Sequence, residues 1–255
     1  MKKLLALLLT AALVVTVFAG CGKNSSAESN NSSAAKKKIT MGTNATFPPF
    51  ESVDDSGKIV GLDADIAAAI AEKLNMELVI KDMDFDSLIP AVKGGSIDFA
   101  MAGMTVTDER KESVNFTDTY AKGVQVVIVK EGSAIKTVDD LKGKKIGVQT
   151  GTTGDSYCTR DYGQENVKQF ANGPLAVAAL QNGQIDCVVI DQQPAKAYVA
   201  SASGLKILDT AYADENYAIA VSKDNTELLN NINKALSELK AAGKIDEIVG
   251  KYIKE

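Results

Sequence analysis

Hydrophobic and polar positions alternate along this chain in two rhythms. Ile39 to Gly42 reads as a short strand, and the paired prolines of Thr43–Phe50 exclude regular structure just after it. Gly57 marks a turn within Asp54–Lys58. Ile66, Ile70 and Leu74 recur every four residues, the mark of one helix face, so a helix opened by Asp63 or Asp65 is expected to run to Leu74. Met76–Lys81 returns to strand. Asp86 starts a second helix, with Pro90 early enough to be tolerated and Gly94-Gly95 ending it. Ile97–Ala102, apolar but for Asp98, reads as a buried strand. The chain then breaks at Gly103 and enters a short helix capped by Thr107, with Asp108 and Glu109 in its first turn.

The pattern then repeats. Ala91–Asp98 matches Ala179–Asp186, each a helix end, a glycine turn and a strand start, and Lys38–Thr43 matches Lys145–Thr150. In that alignment Gly103 falls opposite Asp191. Strands alternating with helices imply a largely parallel α/β sheet covered on both faces, here in two tandem lobes. Tyr120–Lys130 reads as the first crossing between the lobes and Tyr217–Ser222 as the return. Two amphipathic helices, Thr226–Ala242 and one carrying Ile245, Ile248, Val249 and Tyr252, are expected to pack back on the first lobe. Two crossings make a hinge, and closure around a ligand is the motion they permit. Ligands of such sheets sit beyond the carboxyl ends of the strands, which gathers Asn44, Phe47 and Gly103–Arg110.

Composition narrows the chemistry. The 255 residues include no His and no Trp. Without His, the Ser-His-Asp and Cys-His nucleophile arrangements and His-ligated metal sites are excluded, which lowers the expectation of an enzyme. Beyond Cys21 the chain carries 26 basic and 33 acidic side chains, a balance of −7, and so lacks the basic surplus of a nucleic-acid binder. Only two of the cations are arginines, Arg110 and Arg160. An Arg beside a strand end suggests a planar fork for a carboxylate, although a surface pairing with Asp108 or Glu109 is the plain alternative.

The first 20 residues read as an export leader: Lys2 and Lys3, an apolar run from Leu4 to Phe18, then Ala19-Gly20 before Cys21. Residues 21–38, rich in Ser, Asn and Ala and ending in three lysines, read as a flexible linker. Lobe one is expected over 39–121 and again over 218–255, and lobe two over 122–217. Cys158 and Cys187 fall in the second lobe; a disulfide is possible outside the cytoplasm, but an apolar strand around Cys187 equally suits a buried free thiol.

Five phrases occur in order: Gly42-Thr43-Asn44-Ala45-Thr46-Phe47-Pro48-Pro49-Phe50-Glu51, Gly61-Leu62-Asp63-Ala64-Asp65-Ile66, Asp84-Phe85-Asp86-Ser87-Leu88-Ile89-Pro90, Ala100–Arg110, and Lys145–Thr153. Together they resemble the polar amino-acid family of solute-binding proteins that serve ATP-driven importers, over residues 39 to 255. The resemblance implies a two-lobed type II periplasmic-binding-protein fold with a ligand cleft and two crossover strands. It also implies a monomeric, extracytoplasmic receptor without cofactor or metal, handing a free polar amino acid to a membrane permease and its cytoplasmic ATPase. The Ala-Gly-Cys junction resembles a lipobox, so Cys21 is the expected lipidation site and membrane anchor.

A free amino acid is a zwitterion, and burying either charge unpaired costs several kcal/mol. Arg110 suits the α-carboxylate, with the Thr105 hydroxyl and nearby N–H groups. Asp191 suits the α-ammonium; as an Asp after a strand it is also a common helix cap. By resemblance Ala102, Gly103, Thr105 and Arg110 are lobe-one contacts, Thr153 holds the carboxylate from across the cleft, and Phe47 and Phe85 wall the ligand side chain, with core packing as their alternative. Asn44, where cationic-ligand binders usually carry an acid, and Gln149 favour glutamine or a similar neutral polar amino acid. Arginine or lysine stays open because Glu51, Asp84 or Asp86 could reach the pocket. The same fold is similar to that of a cyclohexadienyl dehydratase, so a lyase is the competing reading, and an extracellular sensor domain a third.

Overall fold

The computed structural model describes residues 36–254. The expected leader, most of the linker and Cys21 lie outside the described residues. Lys38, assigned by sequence to the end of the linker, instead opens β1 (Lys38–Thr43). A small antiparallel sheet follows, of β2 (Thr46–Phe47), β3 (Glu51–Val53) and β4 (Ile59–Val60).

Helix α1 (Leu62–Lys73) buries Leu62, Ile66 and Ile70, the expected face. Its start differs from expectation. Neither Asp63 nor Asp65 caps it; the first turn begins at Gly61, whose φ of +135° and lack of a Cβ let it lie against the Phe50 carbonyl, 2.2 Å from where a Cβ would stand. Asp63 is thereby carried into the first turn and fully buried. Strand β5 (Glu77–Asp82) pairs parallel to β1. Asp86 lies in a 3-10 turn, Phe85–Ser87, that leads into α2 (Leu88–Lys93).

Strand β6 is only Phe99–Ala100, shorter than the apolar run suggests. Its two residues pair with Met41 and Gly42, and the chain then leaves the sheet at Met101 for the cleft, turning at Gly103 with φ +52°. Thr107 caps α3 (Asp108–Ser113), its hydroxyl oxygen accepting the Arg110 N–H at 3.1 Å, and β7 (Val114–Phe116) follows.

The second lobe is built on β8 (Ala121–Lys130), β9 (Ile146–Gln149), α4 (Thr153–Tyr162), β10 (Val167–Phe170), α5 (Gly173–Gln181), β11 (Cys187–Asp191), α6 (Gln192–Ser201), β12 (Leu205–Ile207) and β13 (Ala213–Tyr217). Its sheet runs β10-β9-β11-β8-β12, with β13 also pairing β8. The chain returns through β14 (Ala220–Ser222), which inserts between β6 and β7, giving a first sheet ordered β5-β1-β6-β14-β7. Helices α7 (Thr226–Ala241) and α8 (Lys244–Tyr252) pack on α1, as their apolar stripes require.

Both sheets are therefore mixed rather than largely parallel. The chain enters and leaves the second lobe through neighbouring strands, which must run in opposite directions: β8 and β13 pair antiparallel with Ala121 opposite Tyr217 and Gly123 opposite Glu215. Only the first residues of Tyr120–Lys130 form the crossing; the remainder is a central strand of the second lobe, where Val126–Val129 are fully covered. Each such large aliphatic side chain contributes about 1.5–3 kcal/mol by leaving water.

Cys158 and Cys187 are free thiols in the apolar cluster around Val148 and Val189. Burial pushes the Cys158 thiol up to about 12 and raises Cys187 as well, so both are held as unreactive neutral groups.

Candidate functional site

The ends of β1, β6, β9 and β11 converge on a narrow pocket of about 320 Å³, a volume that includes the solvent at its mouth. All ten residues expected at the site line it: Asn44, Phe47, Phe85, Ala102, Gly103, Thr105 and Arg110 from the first lobe, and Gln149, Thr153 and Asp191 from the second. Glu51 and Thr152 line it too. Of the three acids that might have reached the pocket, Asp84 and Asp86 stay exposed at the rim.

The lobes are drawn together. The Gln149 carboxamide N–H donates to Asn44 Oδ1 at 3.0 Å, so the two amides expected to set specificity hold each other across the cleft. Asn44 also donates to the Met83 carbonyl at 2.9 Å and accepts from the Thr46 hydroxyl at 2.9 Å. The Tyr198 hydroxyl donates to the Thr46 carbonyl at 2.5 Å. Arg110 reaches over as well: one N–H goes to the Thr105 carbonyl at 2.7 Å and another to the Gly151 carbonyl at 3.0 Å. The plain alternative of a local ion pair does not hold: among the described residues Arg110 is bridged to neither Asp108 nor Glu109, and Asp108 is bound by Lys111 at 2.9 Å.

The aromatic residues do more than fill the core. Phe85 lies half-buried beneath the Arg110 guanidinium, 5.3 Å from ring centre to cation, an arrangement that steadies the fork. Phe47 stacks on Phe50 at 5.7 Å and presses on Gly103: a Cβ there would stand 2.8 Å from its ring. Residue 103 is thus fixed as Gly by both its φ and this contact.

Asp191 stands at the start of α6, yet its side chain makes no capping bond. It faces the hinge, accepting from the Tyr217 hydroxyl and, at 2.7 Å, from the Gln125 carboxamide. The same Gln125 nitrogen donates to Glu215 at 2.9 Å, and the Thr105 hydroxyl, expected at the ligand carboxylate, donates to Glu215 at 3.0 Å. Burial, then the negative Glu215 nearby, pushes the Asp191 carboxyl well above its usual range. Burial lowers Arg110, which nonetheless stays protonated.

Thr152 caps α4, accepting the Asp155 N–H, and its hydroxyl donates to the Gln149 carbonyl at 2.8 Å. The helix start at Thr153 opens on the pocket, where the free N–H groups of a first turn favour an anion. The site therefore offers a cation and helix N–H groups at one place, and buried carboxyls at another. No group of three metal-ligating side chains exists among the described residues.

Two α/β lobes joined by a pair of crossing strands around such a polar cleft define a bilobal solute-binding protein. Residues 39–255 match the bacterial extracellular solute-binding proteins, family 3, and the chain belongs to that family. Its work is binding a solute outside the cytoplasm for an importer, not catalysis. A probable histidine-binding protein of Neisseria gonorrhoeae is 37% identical, covering 99% of this chain and 96% of its own length. The arginine-binding extracellular protein ArtP of Bacillus subtilis is 36% identical over 99% of this chain and 98% of its own. Among solved structures, an ancestral arginine-binding protein bound to glutamine is 45% identical and superposes with a TM-score of 0.82, covering 86% of this chain and 99% of its own.

Proposed function

We propose that this protein is the lipid-anchored receptor of an ATP-driven amino-acid importer, closing on a free polar amino acid and presenting it to the permease. The observation that carries the reading is the meeting of Arg110 and Asp191 in one cleft between hinged lobes. Arg110, with the first turn of α4, takes the α-carboxylate. Asp191 takes the α-ammonium, exchanging a hinge donor for it. Cys21 is the lipidated residue, and the residues between it and β1 connect the folded body to the membrane.

Glu51 alters the weighing of the ligand's side chain. Asn44 and Gln149 favour a neutral amide end, but the Glu51 carboxyl is buried on the same pocket with no N–H or O–H donor among the described residues. A side chain ending in several N–H donors meets both demands. The ligand class is therefore the carboxamide of glutamine or the guanidinium of arginine. Two of the relatives above support this class: the ArtP protein is named for arginine, and the ancestral arginine-binding protein holds glutamine.

Calorimetric titration of the purified protein with single amino acids tests the reading. One-to-one binding is expected for glutamine or arginine, and little for aspartate, glutamate or leucine. Tight binding of an acidic amino acid would overturn the side-chain assignment, and silence from all twenty would overturn the receptor reading.

A further inference from the structure

Glu51 and Asp63 meet behind the pocket wall. The backbone brings them there: the Asp63 N–H donates to the Phe50 carbonyl at 2.9 Å, setting the first turn of α1 against the start of β3. Both residues are almost fully buried, and their carboxyls lie within hydrogen-bond reach of each other. Asp63 Oδ2 has two donors, the Gly103 N–H at 2.8 Å and the Tyr120 hydroxyl at 2.8 Å. Asp63 Oδ1 and both oxygens of Glu51 have none among the described residues.

Two buried carboxylates facing each other would repel without screening, whereas one proton between them turns the contact into a hydrogen bond. The charge belongs on Asp63, where two donors already stabilise it, and the proton on Glu51. The other titratable groups that face the pair bring no cation: Asp82 at the end of β5, Asp191 at the end of β11, Tyr120 at the crossing and Tyr198 on α6. Burial, then the charge of Asp63, holds the Glu51 carboxyl well above its usual range, and burial pushes Asp63 up to about 6.

We propose that Glu51 and Asp63 share one proton at the cleft, and that this proton sets the preference between cationic and neutral ligand side chains. The inference rests on the receptor reading above. With the proton in place the pair carries a single negative charge, and Glu51 can accept from a carboxamide with no change of charge. When the proton passes to solvent the pair carries two, which only a cationic end offsets. By linkage, a guanidinium binds better as pH rises and expels part of a proton as it binds, and a carboxamide does neither.

The test is titration calorimetry of the purified protein with arginine and with glutamine, from about pH 7 to about pH 9, above the titration of Asp63 itself, in buffers of differing ionisation enthalpy. Arg110 and Asp191 serve groups common to both ligands, so the arginine-to-glutamine affinity ratio isolates the pair. The ratio is expected to rise about tenfold or more over this range, since one fully released proton gives tenfold per pH unit, with protons released on arginine and none on glutamine. E51Q should flatten the ratio, its fold checked by circular dichroism. A flat wild-type ratio with both ligands bound overturns the inference and leaves the receptor reading standing, as does an E51Q ratio that still rises. If arginine alone binds, its proton count decides; glutamine alone at every pH overturns the inference. Binding of neither overturns the receptor reading and the inference with it.

Discussion

Replacing Arg110 by Ala separates a ligand-binding arginine from a surface one. The wild-type guanidinium spends its bonds on two carbonyls, Thr105 at 2.7 Å and Gly151 at 3.0 Å, and rests on Phe85. None of these neutralises its charge, so the cation remains available to an incoming carboxylate. Removing it leaves that carboxylate unpaired in a closed cleft, a cost of about 3–5 kcal/mol. At roughly 1.4 kcal/mol per decade this weakens Kd by about 10²–10³·⁵-fold. R110K keeps the charge and loses the fork, for which about tenfold is expected. Stability should hardly change, because the Gly151 contact lies at the exposed rim. Calorimetry with whichever amino acid binds wild type reads both variants. A folded R110A protein within about fivefold of wild type is what a surface arginine predicts, and would refute the assignment.

Two predictions concern stability. Burial raises the Asp63 carboxyl to about 6 from an ordinary 3.8 in spite of its two donors, so the fold holds a proton on it below about pH 6 and leaves it charged above: the associated stability is full below about pH 4 and lost as pH rises through 6, about 3 kcal/mol in all. The melting temperature of wild type should therefore fall relative to D63N across that window, and parallel curves would refute the burial argument. Gly123 lies in β8, where a Cβ would stand 2.2 Å from the Tyr217 hydroxyl; G123A must move that buried ring off Asp191, costing about 2–5 kcal/mol and 5–15 °C in melting temperature. A shift under about 1 °C would show that the ring yields freely.

Sequence carried the cleft residues well because they sit at strand ends and loops whose order and spacing fix their place. The two-lobe repeat sets Asp191 opposite Gly103 and the strand end sets Arg110 nearby, whereas Thr153 and Gln149 are placed by the family resemblance. Sequence failed where one polar residue must be sorted from its like. Glu51, Asp84 and Asp86 are equivalent acids in a string, and only tertiary packing buries the first and leaves the others wet. Asp63 looked like a helix opener because Asp commonly is one, whereas its carboxyl is turned inward to Gly103. Glu215 escaped notice, although a signal existed: Ala213 and Tyr217 stand two residues to either side of it, the period of a strand face, and in the structure Glu215 and Tyr217 are covered while Asp214 and Asn216 are exposed. The expectation of parallel sheets missed that a chain visiting a second lobe and returning needs antiparallel neighbours at the crossing.

The place of β14 has a consequence for the order of assembly. Its three residues wedge between β6 and β7, so the first sheet is missing an inner strand until residue 222 has been made. The second lobe, by contrast, is one continuous stretch from β8 to β13. A chain growing or emerging from its amino end thus completes its later half first, while β6 and β7 wait with unpaired edges. Contacts so distant in sequence close slowly, and open edges invite pairing with other chains. The last 35 or so residues, bringing β14, α7 and α8, act as the clasp that shuts the first lobe. A chain truncated before them retains a plausible second lobe and an unfinished, association-prone first one.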